Sequence, residues 1–237
     1  MAAATAARVR GAIDAASART WLAAIDAHPA WRRRDADHGS DFNPHSSSVR
    51  VAAIDGLDIA AVAGPLLAGE VGAHSRARLG SALACNIDQC WVRRQYAPAR
   101  YPPGHAPHSW HQDGALGFDF LAAATPEGTL LSMVTCWIAL TPCGADAPGL
   151  EYVDNDGSTL LPLAELDDSA VRARHLESEF ARPVLETGDA LVFGGGVLHH
   201  THVRPHMTRD RTSLELRFFP LGQVPDRLRG DRFLNLQ

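Results

Sequence analysis

Residues 211–219 read RTSLELRFF and form the clearest alternating pattern in the chain. Successive side chains of a strand leave opposite faces, so one face of this strand is apolar and the other is polar. The polar positions are Arg211, Ser213, Glu215 and Arg217, and the apolar ones are Leu214, Leu216 and Phe218. For a strand taken in isolation, a solvated polar face is the commoner arrangement. If the face is buried instead, its charges need ionic partners or a ligand, and a dicarboxylate would suit Arg211.

Short apolar runs bounded by Gly, Pro and Asp continue this pattern towards the N-terminus, back to about Cys90. They are CWVRRQYA, TLLSMVTCWIAL, GLEYV and DALVF. Residues 5–80 are instead rich in alanine, with apolar residues at helical spacing and an expected break near Pro65. Helices followed by many short strands predict an α+β fold, in which a helical part (about 1–80) buttresses a β-sandwich or jelly-roll core (about 88–220). With 237 residues, we expect one domain over 1–237.

The composition excludes several classes of function. A net charge of −5 argues against nucleic-acid binding, which needs an excess of basic residues. The one basic run, WRRR at 31–34, precedes acidic residues and indicates a solvated helix end. All 22 basic residues are arginines. Without lysine, Schiff-base enzymes, pyridoxal-phosphate enzymes and the G-K-[ST] phosphate loop are ruled out.

The cysteines and the apolar segments bear on the cellular compartment. No C-x-x-C pair occurs among Cys85, Cys90, Cys136 and Cys143, and we expect reduced, buried thiols. The N-terminal residues lack the continuous apolar stretch of a signal peptide, and no 18 uncharged apolar residues follow one another. We therefore expect a cytoplasmic protein that does not bind membranes.

The stretch HAPHSWHQDG, residues 105–114, carries the first candidate site residues. His111 and Asp113 are two apart, so on a strand both point to the same side and can bind one metal ion. One imidazole and one carboxylate are two-thirds of the facial triad of non-haem Fe(II) oxygenases. By itself such a triplet is more often an ordinary polar contact. The other dense group of histidines, VLHHTHV at 197–203, offers three candidates for the third ligand: His199, His200 and His202.

The order of these pieces resembles the phytanoyl-CoA dioxygenase-like (PhyH) family of Fe(II)/2-oxoglutarate oxygenases. The resemblance covers residues 88–220 and rests on five groups of residues. They are WHQDG at 110–114, CWIAL with APGLEYV at 136–153, GDALVF at 188–193, LHHTH at 198–202 and RTSLELRFF at 211–219.

The resemblance implies a double-stranded β-helix (jelly-roll, cupin-like) core and a defined site. His111, Asp113 and His199 would be the catalytic iron ligands, and Arg211 would bind the distal carboxylate of 2-oxoglutarate. With Fe(II), 2-oxoglutarate and dioxygen, such an enzyme oxidises an unactivated C–H bond of a small molecule, hydroxylation being the expected outcome, and releases succinate and CO2. Related halogenases carry Gly or Ala in place of the carboxylate ligand, so Asp113 favours oxidation without halogenation.

The choice among the clustered histidines depends on strand parity. The resemblance places the distal ligand directly after Leu198, which makes it His199. His200 would then face away from the barrel, because neighbouring side chains alternate. The spacing to Arg211 fits either residue, and counting back from Arg211 favours His200.

Two other kinds of protein fit the same ligands. One is a zinc-dependent, cupin-like hydrolase or isomerase, since histidine and carboxylate also bind zinc. The other is a non-catalytic jelly-roll binding protein. An inward-facing Arg211 distinguishes the oxygenase, because neither alternative needs it. Residues 143–182 are less regular, and both a lid and a surface excursion are open readings for them. His105 and His108 lie in a Pro/Gly-rich loop and are expected to be solvated.

Overall fold

The computed structural model describes residues 6–29, 45–101, 110–115, 130–153, 160–224 and 228–236. The basic run at 31–34 and the loop residues His105 and His108 lie outside these segments. The four helices are α1 (Ala15–Ala27), α2 (Ile59–Ala68), α3 (Glu70–Leu79) and α4 (Asp168–Arg174), counted over the described residues. Within the same segments the strands are β1 (Ala6–Val9), β2 (Ser46–Arg50), β3 (Leu83–Asn86), β4 (Trp91–Gln95), β5 (Val134–Ala139), β6 (Gly149–Val153), β7 (Phe180–Ala181), β8 (Ala190–Gly194), β9 (His199–His202), β10 (Arg211–Pro220) and β11 (Phe233–Leu236).

Two antiparallel sheets form the double-stranded β-helix that the resemblance implied. In the described part of the chain, the larger sheet has eight strands. Its main path runs β1-β8-β5-β10-β3-β11. Beside this path, β4 pairs with β10, and β2 pairs with β4. The smaller sheet has the order β7-β6-β9. Apolar residues from both sheets meet between them, including Trp137 of β5, Phe193 of β8 and Leu150 of β6.

Helices α1, α2 and α3 cover the outer face of the larger sheet, as expected for an α+β fold. Leu214 and Leu216 of β10 share one apolar cluster with Val62 and Leu66 of α2 and Val71 of α3. The polar face of β10 therefore turns towards the smaller sheet. All ten residues of β10 are buried, and Arg211 and Arg217 expose only 1% and 3% of their surface. The solvated arrangement of this face, which the sequence left open, is thereby excluded.

The N-terminal part differs from its all-helical prediction in two places. β1 and β2 lie within residues 5–80 and pair with β8 and β4. Their sequences, AARV and SSSVR, do not alternate between apolar and polar residues, so only the partner strands reveal them. The expected break also moves: Pro65 lies inside α2, and the chain restarts after Gly69.

The irregular segment 143–182 supplies structure to the barrel. Its described residues contain β6, β7 and α4, so both strands that accompany β9 in the smaller sheet come from it. All four cysteines are buried and free, as predicted. Among the described helices, none is both long and apolar enough to cross a membrane.

Gly188, before β8, provides a test of the fold. Its φ is +92°, and an added Cβ would lie 2.2 Å from the carbonyl oxygen of Ile13. We expect Gly188→Ala to lower the free energy of unfolding by about 1–3 kcal/mol, because the backbone must strain or shift. Gly64→Ala is the control: Gly64 lies inside α2 with open space around it, and alanine there should stabilise by about 0.5–1 kcal/mol. Urea denaturation followed by circular dichroism measures both, and equal stabilities would contradict the strained turn.

Candidate metal centre

The three predicted metal ligands lie together where the two sheets approach each other. His199 begins β9, and His111 precedes a short 3-10 turn that starts at Asp113. Two reciprocal main-chain hydrogen bonds join the histidines, from His111 N to His199 O and from His199 N to His111 O, both 3.0 Å long. The backbone therefore determines the spacing of these two side chains.

The side-chain atoms of this triad converge on one point. The candidate ligand atoms of His111, Asp113 and His199 lie within 4.8 Å of one another. Oδ1 of Asp113 is 3.8 Å from Nε2 of each histidine. Nδ1 of His199 lies 2.9 Å from the carbonyl oxygen of Val197. If Nδ1 donates to that carbonyl, the Nε2 lone pair is available for a metal ion. Two imidazoles and a carboxylate thus form a donor set that fits Fe(II) or another divalent ion.

Asp113 is held as a buried carboxylate. It exposes 3% of its surface, and its Oδ2 accepts a 2.5 Å hydrogen bond from the Thr135 hydroxyl. Nη2 of Arg217 lies 3.4 Å from Oδ1. Burial by itself would raise the pKa of the Asp113 carboxyl, but Arg217 and the two imidazoles outweigh it and hold the pKa well below its usual range. The carboxylate is therefore ionised before any metal binds.

His200 and His202 do not join the triad. Nε2 of His200 lies 2.7 Å from Oε2 of Glu151, and the His200 ring stacks on Trp110 with 4.0 Å between centroids. His202 Nδ1 is 3.8 Å from the same carboxylate oxygen. Both rings thus lie on the opposite face of β9 from His199, as strand alternation requires.

Glu151 was not identified from the sequence. Its carboxylate is 1% exposed and accepts hydrogen bonds from Arg172 of α4, while Arg182 Nη2 lies 2.5 Å away. One feature of the sequence could have identified it. Glu151 is the only charged residue in the apolar run GLEYV, and a charge buried in such a strand needs partners, as on β10.

Arg211 is buried on the inner face of β10, with its guanidinium 4.9 Å from the centre of the Trp137 ring. Among the described residues, its Nε and Nη1 have no hydrogen-bond partner. Gln95 is the cross-strand neighbour of Arg211. The Oε1 of Gln95 and the Oγ of Ser213 are also buried without a partner in the described segments. Burial lowers the pKa of Arg211 to about 10, and nearby groups such as Glu215 offset the lost hydration only in part.

A cavity adjoins the triad. Its lining also includes Trp137, Phe193 and Thr201, together with a row of charges from two strands, β4 and β10. In that row Arg93 Nε donates to Glu215 at 3.2 Å, and Glu215 lies 3.8 Å from Arg217. Arg93 lines the cavity, whereas its neighbour on β4, Arg94, pairs with Asp26 of α1.

Comparison with known proteins finds one matching family and several solved structures of similar fold. The family model described as Phytanoyl-CoA dioxygenase (PhyH) matches residues 1–207. The chain is similar to the crystal structure of the non-haem α-ketoglutarate-dependent carbocyclase SnoK from nogalamycin biosynthesis, with 14% identity over 99% of this chain and 92% of that chain and a TM-score of 0.65. The chain is also similar to the α-ketoglutarate-dependent epimerase SnoN from the same biosynthesis. The identity is 18% over 99% of this chain and 92% of that chain, with a TM-score of 0.61. HygX from Streptomyces hygroscopicus, with nickel and 2-oxoglutarate bound, is 14% identical over 99% and 93%, with a TM-score of 0.55. No curated protein matches the chain.

The buried Glu151 predicts how stability depends on pH. Burial would raise its pKa, but hydrogen bonds from His200 and Arg172 and the nearby His202 imidazole hold it well below its usual range. A depressed pKa stabilises the fold above the pKa of the unfolded chain, and this contribution is lost as the pH falls towards the folded value. We expect Glu151→Gln to cost about 2 kcal/mol at pH 7, because it weakens several charge-assisted hydrogen bonds of one buried carboxylate.

The loss should shrink when urea denaturation is repeated below about pH 4, the usual range of a glutamate pKa. Glu165→Gln is the control, since Glu165 pairs with Arg174 at a more exposed position and should change stability by less than about 1 kcal/mol. A loss that is independent of pH would argue against an ionised Glu151.

Proposed function

The chain belongs to the phytanoyl-CoA dioxygenase family, and from this premise we propose that it oxidises an unactivated C–H bond of a small-molecule metabolite while converting 2-oxoglutarate to succinate and CO2. Members of this family are non-haem oxygenases that use Fe(II), 2-oxoglutarate and dioxygen, and the chain is such an enzyme. Hydroxylation is the outcome we propose, in a cytoplasmic protein with one domain over 1–237.

The convergence of His111, Asp113 and His199 is the observation that supports this function most directly. We propose that these three residues hold the iron. Three protein ligands on one side of the ion leave positions for a bidentate cosubstrate and dioxygen. When bound, the iron supplies the redox chemistry with dioxygen that side chains lack.

The other residues of the site bind, orient and exclude water. Arg217 keeps Asp113 ionised, and the contact of Nδ1 with Val197 O orients the His199 ring. We propose that Arg211 binds the distal carboxylate of 2-oxoglutarate, because a buried guanidinium with free donors is costly unless an anion pairs with it. Trp137 and Phe193 form apolar walls that limit the access of water to the cavity.

Two donors of Arg211 lack a partner among the described residues, and this also weighs against the two alternatives. A zinc-dependent hydrolase or isomerase, or a jelly-roll binding protein, has no need for a buried cation on the inner face of β10. A small-molecule substrate is in keeping with two structures of similar fold, SnoN in complex with nogalamycin RO and HygX with hygromycin B bound. At 17% and 12% identity, with TM-scores of 0.56 and 0.57, these structures do not identify the substrate of this chain.

The cofactor requirement is tested first. With Fe(II) and 2-oxoglutarate under anaerobic conditions, the protein should develop the weak visible charge-transfer band of the chelate, because both ligands occupy one centre. After oxygen is admitted, it should release succinate when a metabolite library is screened. Turnover with zinc and without 2-oxoglutarate would instead establish the hydrolase or isomerase.

Arg211→Ala tests the carboxylate partner. We expect at least a thirty-fold rise in the 2-oxoglutarate concentration needed for the chelate band, since truncating a buried charge pair costs about 2 kcal/mol or more. Iron binding should persist. Arg209→Ala is the matched control, because Arg209 is exposed and pairs only with Asp146 among the described residues. If both variants bind 2-oxoglutarate like the wild type, the role must pass to one of the arginines that line the cavity, Arg93 or Arg217.

His199→Ala and His200→Ala test the distal ligand side by side. We expect His199→Ala to lose Fe(II) binding and 2-oxoglutarate decarboxylation, because it removes a ligand. His200→Ala should keep the metal and lose stability, because His200 contacts Glu151 and Trp110. Metal binding and circular dichroism on both variants are the measurements. The reverse result, with iron lost only from His200→Ala, would shift the inward face of β9 by one residue.

A further inference from the structure

The two oxygens of the Asp113 carboxylate have different surroundings. Oδ1 faces the triad, 3.8 Å from each histidine Nε2. Oδ2 accepts the 2.5 Å hydrogen bond of the Thr135 hydroxyl. Thr135 exposes 1% of its surface and Asp113 exposes 3%, so this contact is shielded from bulk water. The hydrogen bond to Thr135 thus restrains the orientation of the Asp113 side chain.

Thr135 lies on a strand of the larger sheet that is paired on both sides. It lies on β5, where it pairs with Arg217 of β10 on one side and Phe193 of β8 on the other. Arg217 also donates to the carbonyl oxygen of Gln89 at 2.8 Å. Asp113 itself lies on a short turn outside both sheets. The turn residue is therefore docked onto two side chains that the sheet holds in place.

The number of carboxylate oxygens on the metal decides how many positions remain. A carboxylate can bind a metal through one oxygen or through both. Six-coordinate iron with three protein donor atoms has three positions left, which two atoms of 2-oxoglutarate and dioxygen fill. A second carboxylate oxygen would take one of these positions.

We propose that Thr135 is a positioning residue that engages Oδ2 of Asp113 and so reserves Oδ1 alone for the metal. This inference rests on the proposed function. Hydrogen bonds to ligating side chains commonly contribute a factor of about 10–100 to metal affinity. Here the bond also keeps open the position that the cosubstrate needs.

Two substitutions of Thr135 separate the hydroxyl from the methyl group. Thr135→Val keeps the shape and removes the hydrogen bond, whereas Thr135→Ser keeps the hydrogen bond and removes the methyl group. Fe(II) affinity is measured anaerobically by competition with a chromophoric chelator, and 2-oxoglutarate affinity by titration of the charge-transfer band. We expect Thr135→Val to bind Fe(II) about tenfold more weakly and to need more 2-oxoglutarate, with Thr135→Ser within about twofold of the wild type.

Thr212→Val is the matched control. Thr212 is a buried threonine of β10 on the opposite face, and its hydroxyl accepts from Arg94 at 3.3 Å. Its removal should leave both affinities unchanged. If Thr135→Val does not fold, Thr135→Ala gives the same comparison.

The outcomes distinguish this inference from the proposed function. Wild-type affinities in folded Thr135→Val, or a loss in Thr135→Ser alone, would show a packing role and overturn the inference only. A wild-type protein that binds Fe(II) without forming the 2-oxoglutarate band would overturn the proposed function, and the inference would fall with it.

Discussion

Ten consecutive residues of β10 are buried, so each charge on that strand is costly unless it has an ionic or hydrogen-bonding partner. Glu215 meets Arg93, and Arg217 meets both Asp113 and a main-chain carbonyl. Each of these contacts ties β10 to a different part of the chain. Arg211 differs, because two of its nitrogen atoms have no acceptor among the described residues. The strand that closes the barrel wall thus also generates the charge pattern of the cavity.

Main-chain pairing and buried side chains both contribute to the arrangement of the proposed metal ligands. Two reciprocal hydrogen bonds join His111 to His199, so the distance between the two imidazoles follows from backbone pairing. Asp113 is then aligned by Thr135 and Arg217, which belong to paired positions of the larger sheet. The sheets therefore supply part of the order of the proposed site.

The sequence was most informative where one residue pattern had one physical explanation. The alternation in RTSLELRFF predicted β10 and placed its arginines on one face, and the pair His111 and Asp113 predicted one side of the site. The strands β1 and β2 could not be predicted, because AARV and SSSVR are strands only through pairing with β8 and β4. The proposed role of Thr135 could not be predicted either, because it depends on a contact with Asp113, which is 22 positions away in the sequence.

Two adjacent histidines in β9 leave the alignment of this strand to other residues. A slip by one position would exchange His199 for His200, and either face would still receive an imidazole. The apolar neighbours do not tolerate the exchange. Val197 packs with Trp137 and Phe193 between the sheets, whereas Leu198 packs with Trp110 on the far side. This aliphatic pair therefore selects which of the two imidazoles turns towards Asp113, and protects the proposed site against a misthreaded strand.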